Sequence, residues 1–284
     1  MTSAATPPPP PPPPPPPSAA RAAPVPLAEV TRWLDDTLRT AEVPDYPGAL
    51  NGLQVANRAG VARVAVAVDF SRAAIEGAVA ASGGDGATLL VVHHGMFWGG
   101  AQPIVGPAYE RLRLLLAHDV AVYASHLPLD LHPTLGNNAG LARALGLEPT
   151  GGFARFKTLD VGLSGESDVD TRMLADRARA FAAEWGHALV HTPIAPGRRT
   201  RRWGLCTGGG ASSDTLREAV ERGLDTLIVG EGPHHTAVEA MERDLVVLYA
   251  GHYATETIGV RALGEALQER FGTPWSFVGK PTGL

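Results

Sequence analysis

The sequence predicts an α/β fold of two three-layer domains, each with a largely parallel sheet and helices on both faces. Several short segments are apolar throughout, as strands are when helices cover both faces of their sheet. Between them lie stretches in which apolar residues recur three and four positions apart, the spacing of a helix with one buried face. Strands that alternate with helices in this way favour parallel sheets.

The first domain begins with a predicted helix over 26–39, where Val30, Trp33, Leu34 and Leu38 form one apolar stripe. The elements that follow are strand 61–68, helix 71–82, strand 87–92, helix 107–118, strand 120–125 and helix 136–146. After Leu147 the composition changes to Glu-Pro-Thr-Gly-Gly, which is typical of a loop. We therefore predict a domain boundary at this point.

The second domain is predicted over 149–244. Its elements are strand 157–163, helix 169–185, strand 187–192, strand 203–207, helix 212–222, strand 226–229 and helix 234–243. The apolar strand over 245–251 and the helix after it are assigned to the first domain, which then comprises 26–148 plus 245–284. This assignment follows from the metal site described below, since the last helix must reach the first domain to share that site.

Residues 1–25 are predicted to form a disordered, proline-rich tail, because the uninterrupted run from Pro7 to Pro17 has no apolar surface to bury. Binding to a proline-recognising domain is the alternative. The tail lacks the basic and apolar regions of a secretory signal, and no later apolar run reaches the length of a membrane span. The single cysteine, Cys206, excludes an intramolecular disulfide and is interpreted as an inert core residue, with a nucleophile as the alternative. We therefore expect a cytoplasmic protein with no membrane segment.

The 284 residues carry a net charge of −5 with mixed signs, which makes nucleic acid an unlikely partner. One dense basic run, Arg198-Arg-Thr-Arg-Arg202, is interpreted as a solvated loop between two strands, with collection of an anionic ligand as the alternative.

Imidazoles and carboxylates follow three predicted strands. The residues are His93 and His94 after the strand at 87–92, His126 and Asp130 after the strand at 120–125, and His252 and Glu256 after the last strand. Because the carboxyl ends of parallel strands meet at one crevice, these side chains are expected to converge. His252 and Glu256 are also one helical turn apart, so they point the same way.

Such a set predicts a dinuclear metal site. His93 and His94 lie at the strand end, where each imidazole can reach a different ion, and Glu256 is the better candidate than Asp130 for a bridge between the ions. Nitrogen and oxygen donors without a thiolate favour zinc, iron, manganese, cobalt or nickel over calcium or copper(I). His126 is interpreted as a residue that orients its neighbours rather than a direct ligand.

Five segments also resemble one known family, and together they extend in order over roughly residues 28–284. The segments are Leu-Val-Val-His93-His94-Gly-Met-Phe-Trp98, Ser-His126-Leu-Pro-Leu-Asp130-Leu-His132, Ala-Gly-His252-Tyr-Ala-Thr-Glu256, Asn51-Gly-Leu-Gln54-Val and Val-Gly230-Glu231-Gly-Pro-His234-His235-Thr. They are similar to the signatures of the Nif-three-like dinuclear-metal-centre family, often labelled GTP cyclohydrolase I type 2 homologue.

The resemblance implies a two-domain α/β subunit with two divalent metal ions, assembled into a toroidal homohexamer with the metal pairs facing its interior. Carried over position by position, it implies the metal ligands His93, His94, Asp130, His252 and Glu256. The chain departs from the pattern at Tyr253, where many members have a second histidine, so any role of that neighbour is left open.

These features predict a metal-dependent hydrolase that acts on a small nucleotide-like or phosphorylated substrate. The alternative is a non-enzymatic metal-binding, chaperone or scaffold protein that uses the same ligands. Three residues near another strand end, Glu231, His234 and His235, are candidates for contacting substrate or moving a proton. The glycine-rich segment from Thr207 to Asp214 is interpreted as a structural turn before a capped helix, with phosphate contact as the alternative.

Overall fold

The structure is a computed structural model that describes residues 23–82 and 86–284. It contains two β-sheets with packed helices, so the predicted α/β class is confirmed. Of the disordered tail predicted over residues 1–25, residues 1–22 lie outside the described residues, whereas Val25 forms an antiparallel bridge with Val61. In the described part of the chain, no helix combines the length and the hydropathy that a membrane span requires.

The first sheet has five strands and is mainly parallel, as predicted. In spatial order they are β1 (Gly52–Val55), β4 (Val120–Ala124), β3 (Thr88–His94), β2 (Arg63–Asp69) and β11 (Trp275–Phe277). Only β1 pairs antiparallel, at the edge beside β4. The two edge strands, β1 and β11, were not among the predicted elements because each is short and neither is apolar throughout.

Helices cover both faces of this sheet. Helices α1 (Leu27–Leu38) and α9 (His252–Phe271) pack on one face, and α2 (Arg72–Ser82) and α3 (Pro107–Ala117) pack on the other. Two further helices, the short α4 (Leu127–Asp130) and α5 (Asn137–Leu145), follow β4. Because strand side chains alternate between the faces, Val64 and Val66 contribute to the α9 side whereas Ala65 and Ala67 contribute to the α2 side.

The second sheet has six strands and is mixed. Its spatial order is β5 (Pro149–Phe156), β6 (Leu159–Asp170), β8 (Arg199–Cys206), β9 (Thr226–Val229), β10 (Val246–Tyr249) and β7 (Val190–His191). Only β8–β9 and β9–β10 pair in parallel. Helices α5 and α6 (Thr171–Glu184) cover one face, and α7 (Ser213–Glu221) and α8 (His234–Glu242) cover the other. The predominantly parallel arrangement is therefore confined to the first sheet.

Two segments predicted as loops are strands. Glu-Pro-Thr-Gly-Gly enters β5, which forms an antiparallel hairpin with β6 at the sheet edge, where proline is tolerated as the first strand residue. The basic run lies mostly in β8, where Arg199 pairs with Asp168, and Arg198, just before the strand, pairs with Asp244. Acidic partners that are distant in sequence thus face these cations, and β8 itself is held by pairing with β6 and β9.

The strand predicted over 245–251 belongs to the second sheet, which corrects its assignment to the first domain. β10 pairs in parallel with β9 from Val246↔Thr226 to Tyr249↔Val229. An apolar strand fits either sheet, so its composition does not distinguish them. Only α9 and β11 return to the first sheet: Leu263 of α9 packs in the first core, and Ile258 packs against the second.

Because α9 joins the two cores, we predict that Leu263→Ala lowers the free energy of unfolding by about 2–5 kcal/mol through the cavity it creates. Leu263 is 0% exposed. Leu116→Ala is the matched control, since Leu116 is 63% exposed and its truncation should change stability by less than about 0.5 kcal/mol. Urea unfolding of both variants measures the difference, and equal effects would contradict the packing described for α9.

Candidate metal centre

His93 and His94 are the last two residues of β3, and the ladder around them is incomplete. On the β4 side the last pair is Val92↔Ala124, whereas on the β2 side pairing continues to Asp69↔His94. The two imidazole rings lie 4.8 Å apart, centroid to centroid. The strand end therefore directs both rings into one space.

Asp130 enters the same space from the end of α4. Its Oδ1 atom accepts a hydrogen bond from Asn137 Nδ2 at 2.8 Å and from Thr207 Oγ1 at 3.4 Å. Its Oδ2 atom lies 3.7 Å from His93 Nε2. One carboxylate oxygen is therefore held by neutral donors, and the other faces the histidines.

Glu256 lies at the centre of the group. Its Oε1 atom is 3.1 Å from His252 Nε2 and 3.4 Å from His93 Nε2, while Oε2 is 3.5 Å from His94 Nε2. His252 and Glu256 occupy positions 1 and 5 of α9, so the helix holds both on one face. The carboxylate thus presents one oxygen to two imidazoles and the other oxygen to a third, which is the arrangement expected of a bridging ligand.

The Nδ1 atom of each histidine in the group already has a partner. The contacts are His93 with Ser125 O at 2.9 Å, His94 with Asp69 Oδ1 at 2.9 Å, His126 with Asp45 Oδ1 at 2.8 Å and His252 with Glu231 Oε1 at 2.8 Å. If Nδ1–H donates in each contact, Nε2 is left unprotonated for a ligand. Histidines that bind metals are typically fixed in this way.

The donor set fits divalent cations. Donor atoms of His93, His94 and His126 lie within 4.8 Å of one another, and so do those of His94, His252 and Glu256. Among the described residues, His93 Nε2 and Glu256 Oε2 are buried without a hydrogen-bond partner. Such atoms are costly to bury unless something satisfies them, and an ion between them would do so.

Charges within the group strongly shift the pKa values of three of its side chains. Burial lowers the pKa of His93, but the Asp130 and Glu256 carboxylates outweigh burial and raise it to about 10. Burial likewise lowers the pKa of His252, and Glu256 and Glu231 raise it to about 9. Burial raises the pKa of Glu256, yet the surrounding imidazoles hold it well below its usual value. Without a bound ion, the carboxylates therefore retain protons on two of the histidines at neutral pH.

A glycine of the second domain closes the group from the opposite side. Gly208 follows β8 with a φ of +63°, and a Cβ atom there would lie 2.1 Å from Glu256 Oε1. Only glycine fits this approach. The segment from Thr207 to Asp214 is a turn into α7, as interpreted, and Ser212 caps that helix through a capping box with Thr215.

A cavity of about 210 Å³ opens onto the group, and four of the five predicted ligands line it, namely His94, Asp130, His252 and Glu256. Tyr46, Trp98 and His126 form part of its wall. The Trp98 ring lies 4.7 Å from the ring of His94 and 4.5 Å from that of His126, centroid to centroid. Cys206 also lines the cavity, and burial together with the nearby carboxylates raises the pKa of its thiol to about 12, so it stays protonated.

The candidate proton-transfer residues lie in different places. Glu231 contacts His252 and therefore belongs to the centre. His234 and His235 begin α8 and are exposed, and His234 lines a separate cavity of about 260 Å³. Sequence reasoning missed two of the carboxylates that contact histidine Nδ1 atoms, Asp45 and Asp69. Asp69 ends β2, so its position at a strand end was a usable signal, whereas Asp45 lies in a loop without one.

The fold and these residues agree with one family of proteins. Residues 25–278 match the family model described as Duf34/NIF3 (NGG1p interacting factor 3). The chain belongs to the Duf34/NIF3 family.

Relatives of this family cover nearly the whole chain. A protein of Deinococcus radiodurans named GTP cyclohydrolase 1 type 2 homolog is 41% identical over 258 residues, which cover 90% of this chain and 94% of the relative. A protein of Halobacterium salinarum with the same name is 41% identical over 261 residues, covering 91% and 99% of the two chains.

Solved structures of Duf34/NIF3 relatives share the fold. The structure of protein ybgI, described as of unknown function, is 34% identical with a TM-score of 0.80 and covers 92% of this chain and 100% of its own. TTHA1606 from Thermus thermophilus is 36% identical with a TM-score of 0.73, covering 90% and 99%.

We predict that metal binding releases about two protons per subunit at pH 7.5, one from His93 and one from His252, because both must be neutral to bind an ion. Affinity should accordingly rise with pH and level off near the pKa values of about 10 and 9. Calorimetric titration with Zn²⁺ in two buffers of different ionisation enthalpy gives the proton count. Glu231→Gln should lower that count, since it removes one charge that raises the pKa of His252. Release of no protons would contradict the charge balance described.

Proposed function

We propose that this protein binds two divalent metal ions and uses them as a hydrolase on a small nucleotide-like or phosphorylated substrate. The observation that carries the proposal is the placement of the Glu256 carboxylate among three imidazoles, beside a cavity that four predicted ligands line. The ligands in this proposal are those predicted, namely His93, His94, Asp130, His252 and Glu256.

The donor types support zinc, iron, manganese, cobalt or nickel, because the set contains imidazoles and carboxylates, and its one nearby thiol remains protonated. When bound, such a pair of ions provides Lewis acidity and a source of hydroxide near neutral pH. Glu256 would hold the ions together, and Asn137 and Thr207 would orient Asp130 by occupying its Oδ1 atom.

The open side of the group favours catalysis over storage of metal. Structural metal sites are closed by protein ligands, whereas catalytic sites keep positions free for water and substrate. Here His94, Asp130, His252 and Glu256 all face the cavity, so a small molecule in the cavity has direct access to the proposed ligands.

His126 is the residue that we propose to hold or transfer a proton. It lines the cavity beside His93 and His94, and its Nδ1 atom is held by Asp45, which is itself buried. Glu231, by contrast, orients His252 in this proposal. The exposed His234 and His235 are less suited to the reaction because neither lines this cavity.

The cavity mouth supports a substrate with a planar ring. Tyr46 is 51% exposed and Trp98 is 42% exposed, so both present aromatic surface at the entrance. Aromatic side chains bind nucleobases by stacking. The name GTP cyclohydrolase 1 type 2 homolog, carried by the relatives from Deinococcus and Halobacterium, is compatible with a nucleotide in this position.

The proposal is tested by elemental analysis and turnover of protein purified without added ions. We expect about two metal ions per subunit and metal-dependent hydrolysis in a screen of nucleotides and phosphoesters. Glu256→Gln keeps the shape of the side chain but removes its charge, so metal affinity should fall at least about tenfold and turnover should be lost. Glu239→Gln on α8 is the matched control, because Glu239 contacts Ser213 and lies outside the centre.

The two parts of this test separate the alternatives. Trace metal in wild-type protein from metal-replete cells would exclude the dinuclear centre. Two metals without turnover across the screen would favour the non-enzymatic alternative, in which the protein stores or delivers metal or serves as a chaperone or scaffold.

We also propose a cytoplasmic homohexamer, as the family resemblance implies. Sedimentation equilibrium of the metal-loaded protein should then give a mass near six times the 29.7 kDa subunit. A monomer at micromolar concentration would exclude the ring, while the ligand assignment would be unaffected.

A further inference from the structure

Residues 279–284 form a segment that we call the clasp, and it binds directly to the start of α9. The preceding residue, Val278, extends the line of β11 by donating its N–H to Val66 O at 2.8 Å. In the clasp, the Lys280 N–H donates to the Tyr253 hydroxyl at 2.8 Å. The Tyr253 N–H in turn donates to the main-chain oxygen of Leu284 at 3.1 Å. Tyr253 therefore contacts the clasp at two points, and it is the neighbour of the predicted ligand His252.

The clasp also contacts the second domain. His187 lies between α6 and β7, and its Nδ1 atom is 3.2 Å from Gly283 O. The same imidazole packs against Gly251, where a Cβ atom would lie 2.6 Å from the His187 ring. His187 thus contacts both the clasp and Gly251, the residue that precedes α9.

This first turn depends on the clasp because its cap has no side chain. Gly251 occupies the N-cap position with a φ of +95° and makes no side-chain capping bond. The first N–H groups of a helix need partners from outside the helix, and the turn frays without them. The main-chain oxygen of Leu284 supplies such a partner to Tyr253.

His252 is the predicted ligand that this anchoring affects most. It is the first residue of α9, and its side chain is 28% exposed, compared with 0% for His93 and 11% for His94, which a central strand holds. The contacts that orient its ring are those of Nδ1 with Glu231 at 2.8 Å and of Nε2 with Glu256 at 3.1 Å. A shift of the first turn would alter both.

We propose that the clasp, acting through Tyr253 and His187, is a positioning device that holds His252 in place for the ion it binds. The Tyr253 hydroxyl, by accepting the Lys280 N–H, ties the clasp to the residue next to His252. The proposal rests on the metal centre proposed above but not on hydrolase activity.

The test is calorimetric titration of metal-stripped full-length protein with Zn²⁺, together with absorption spectra of the Co²⁺-loaded form. Two changes, removal of residues 279–284 and His187→Ala, should each weaken the affinity of one of two Zn²⁺ binding events by about tenfold or more, as loss of ligand-orienting contacts does. The affinity of the other event should stay within about twofold of the wild-type value. Tyr253→Phe should change the same event in the same direction by less, because only the hydroxyl contact is lost. The visible Co²⁺ bands should change in all three variants.

His191→Ala is the matched control. His191 lies four residues from His187 in the adjacent strand β7, is exposed, and pairs with Thr192 O rather than with the clasp. Its two binding events and Co²⁺ spectrum should equal those of the wild type.

The outcomes distinguish this proposal from the metal centre itself. Unchanged affinities in the His187→Ala and truncated proteins, or equal weakening of both events, would overturn the clasp while leaving the centre intact. Absence of two binding events in the wild type would overturn the dinuclear centre and this proposal with it. If the truncated protein does not fold, the two point variants alone decide, with their thermal unfolding as the check on folding.

Discussion

The buried negative charge of Glu256 is the constraint on which the rest of the centre depends. The residue is 2% exposed, and an isolated carboxylate at that depth would be strongly destabilising. Imidazoles on two different elements surround it, and each is oriented in turn by an acceptor at its Nδ1 atom. The close approach of Gly208 leaves no room for other side chains. These polar groups and their charges are therefore stable only as a set.

The two domains contribute jointly to this set. β3 and α4 of the first domain carry His93, His94 and Asp130, while Thr207, Gly208 and Glu231 come from the second. α9 links them, since it starts beside the second sheet and packs on the first through Leu263. The cavity is lined by residues of both domains. Because α9 carries His252 and Glu256, its position determines the geometry of the site.

Much of the fold was predictable from the sequence, and the elements that were assigned wrongly have a common cause. Central strands such as β3 and β4 are buried on both faces, so an uninterrupted apolar run identifies them. β5, the basic part of β8 and the sheet to which β10 belongs were misassigned. In each case the assignment depends on pairing with another strand, β6 for β5, β6 and β9 for β8, and β9 for β10, and local periodicity carries no information about that partner.

The sequence alone determined which residue types meet at the strand ends, the helical spacing of His252 and Glu256, and the family to which the chain belongs. These are local patterns, set by periods of two and 3.6 residues and by short motifs. Tertiary structure decided which atoms face one another: that Asp45 and Asp69 orient histidines, that His126 joins the cavity, and that His234 and His235 do not. The physical reason is that contacts between residues such as Asp45 and His126, 81 positions apart, are set by how the sheets and helices pack, and not by the sequence around either residue.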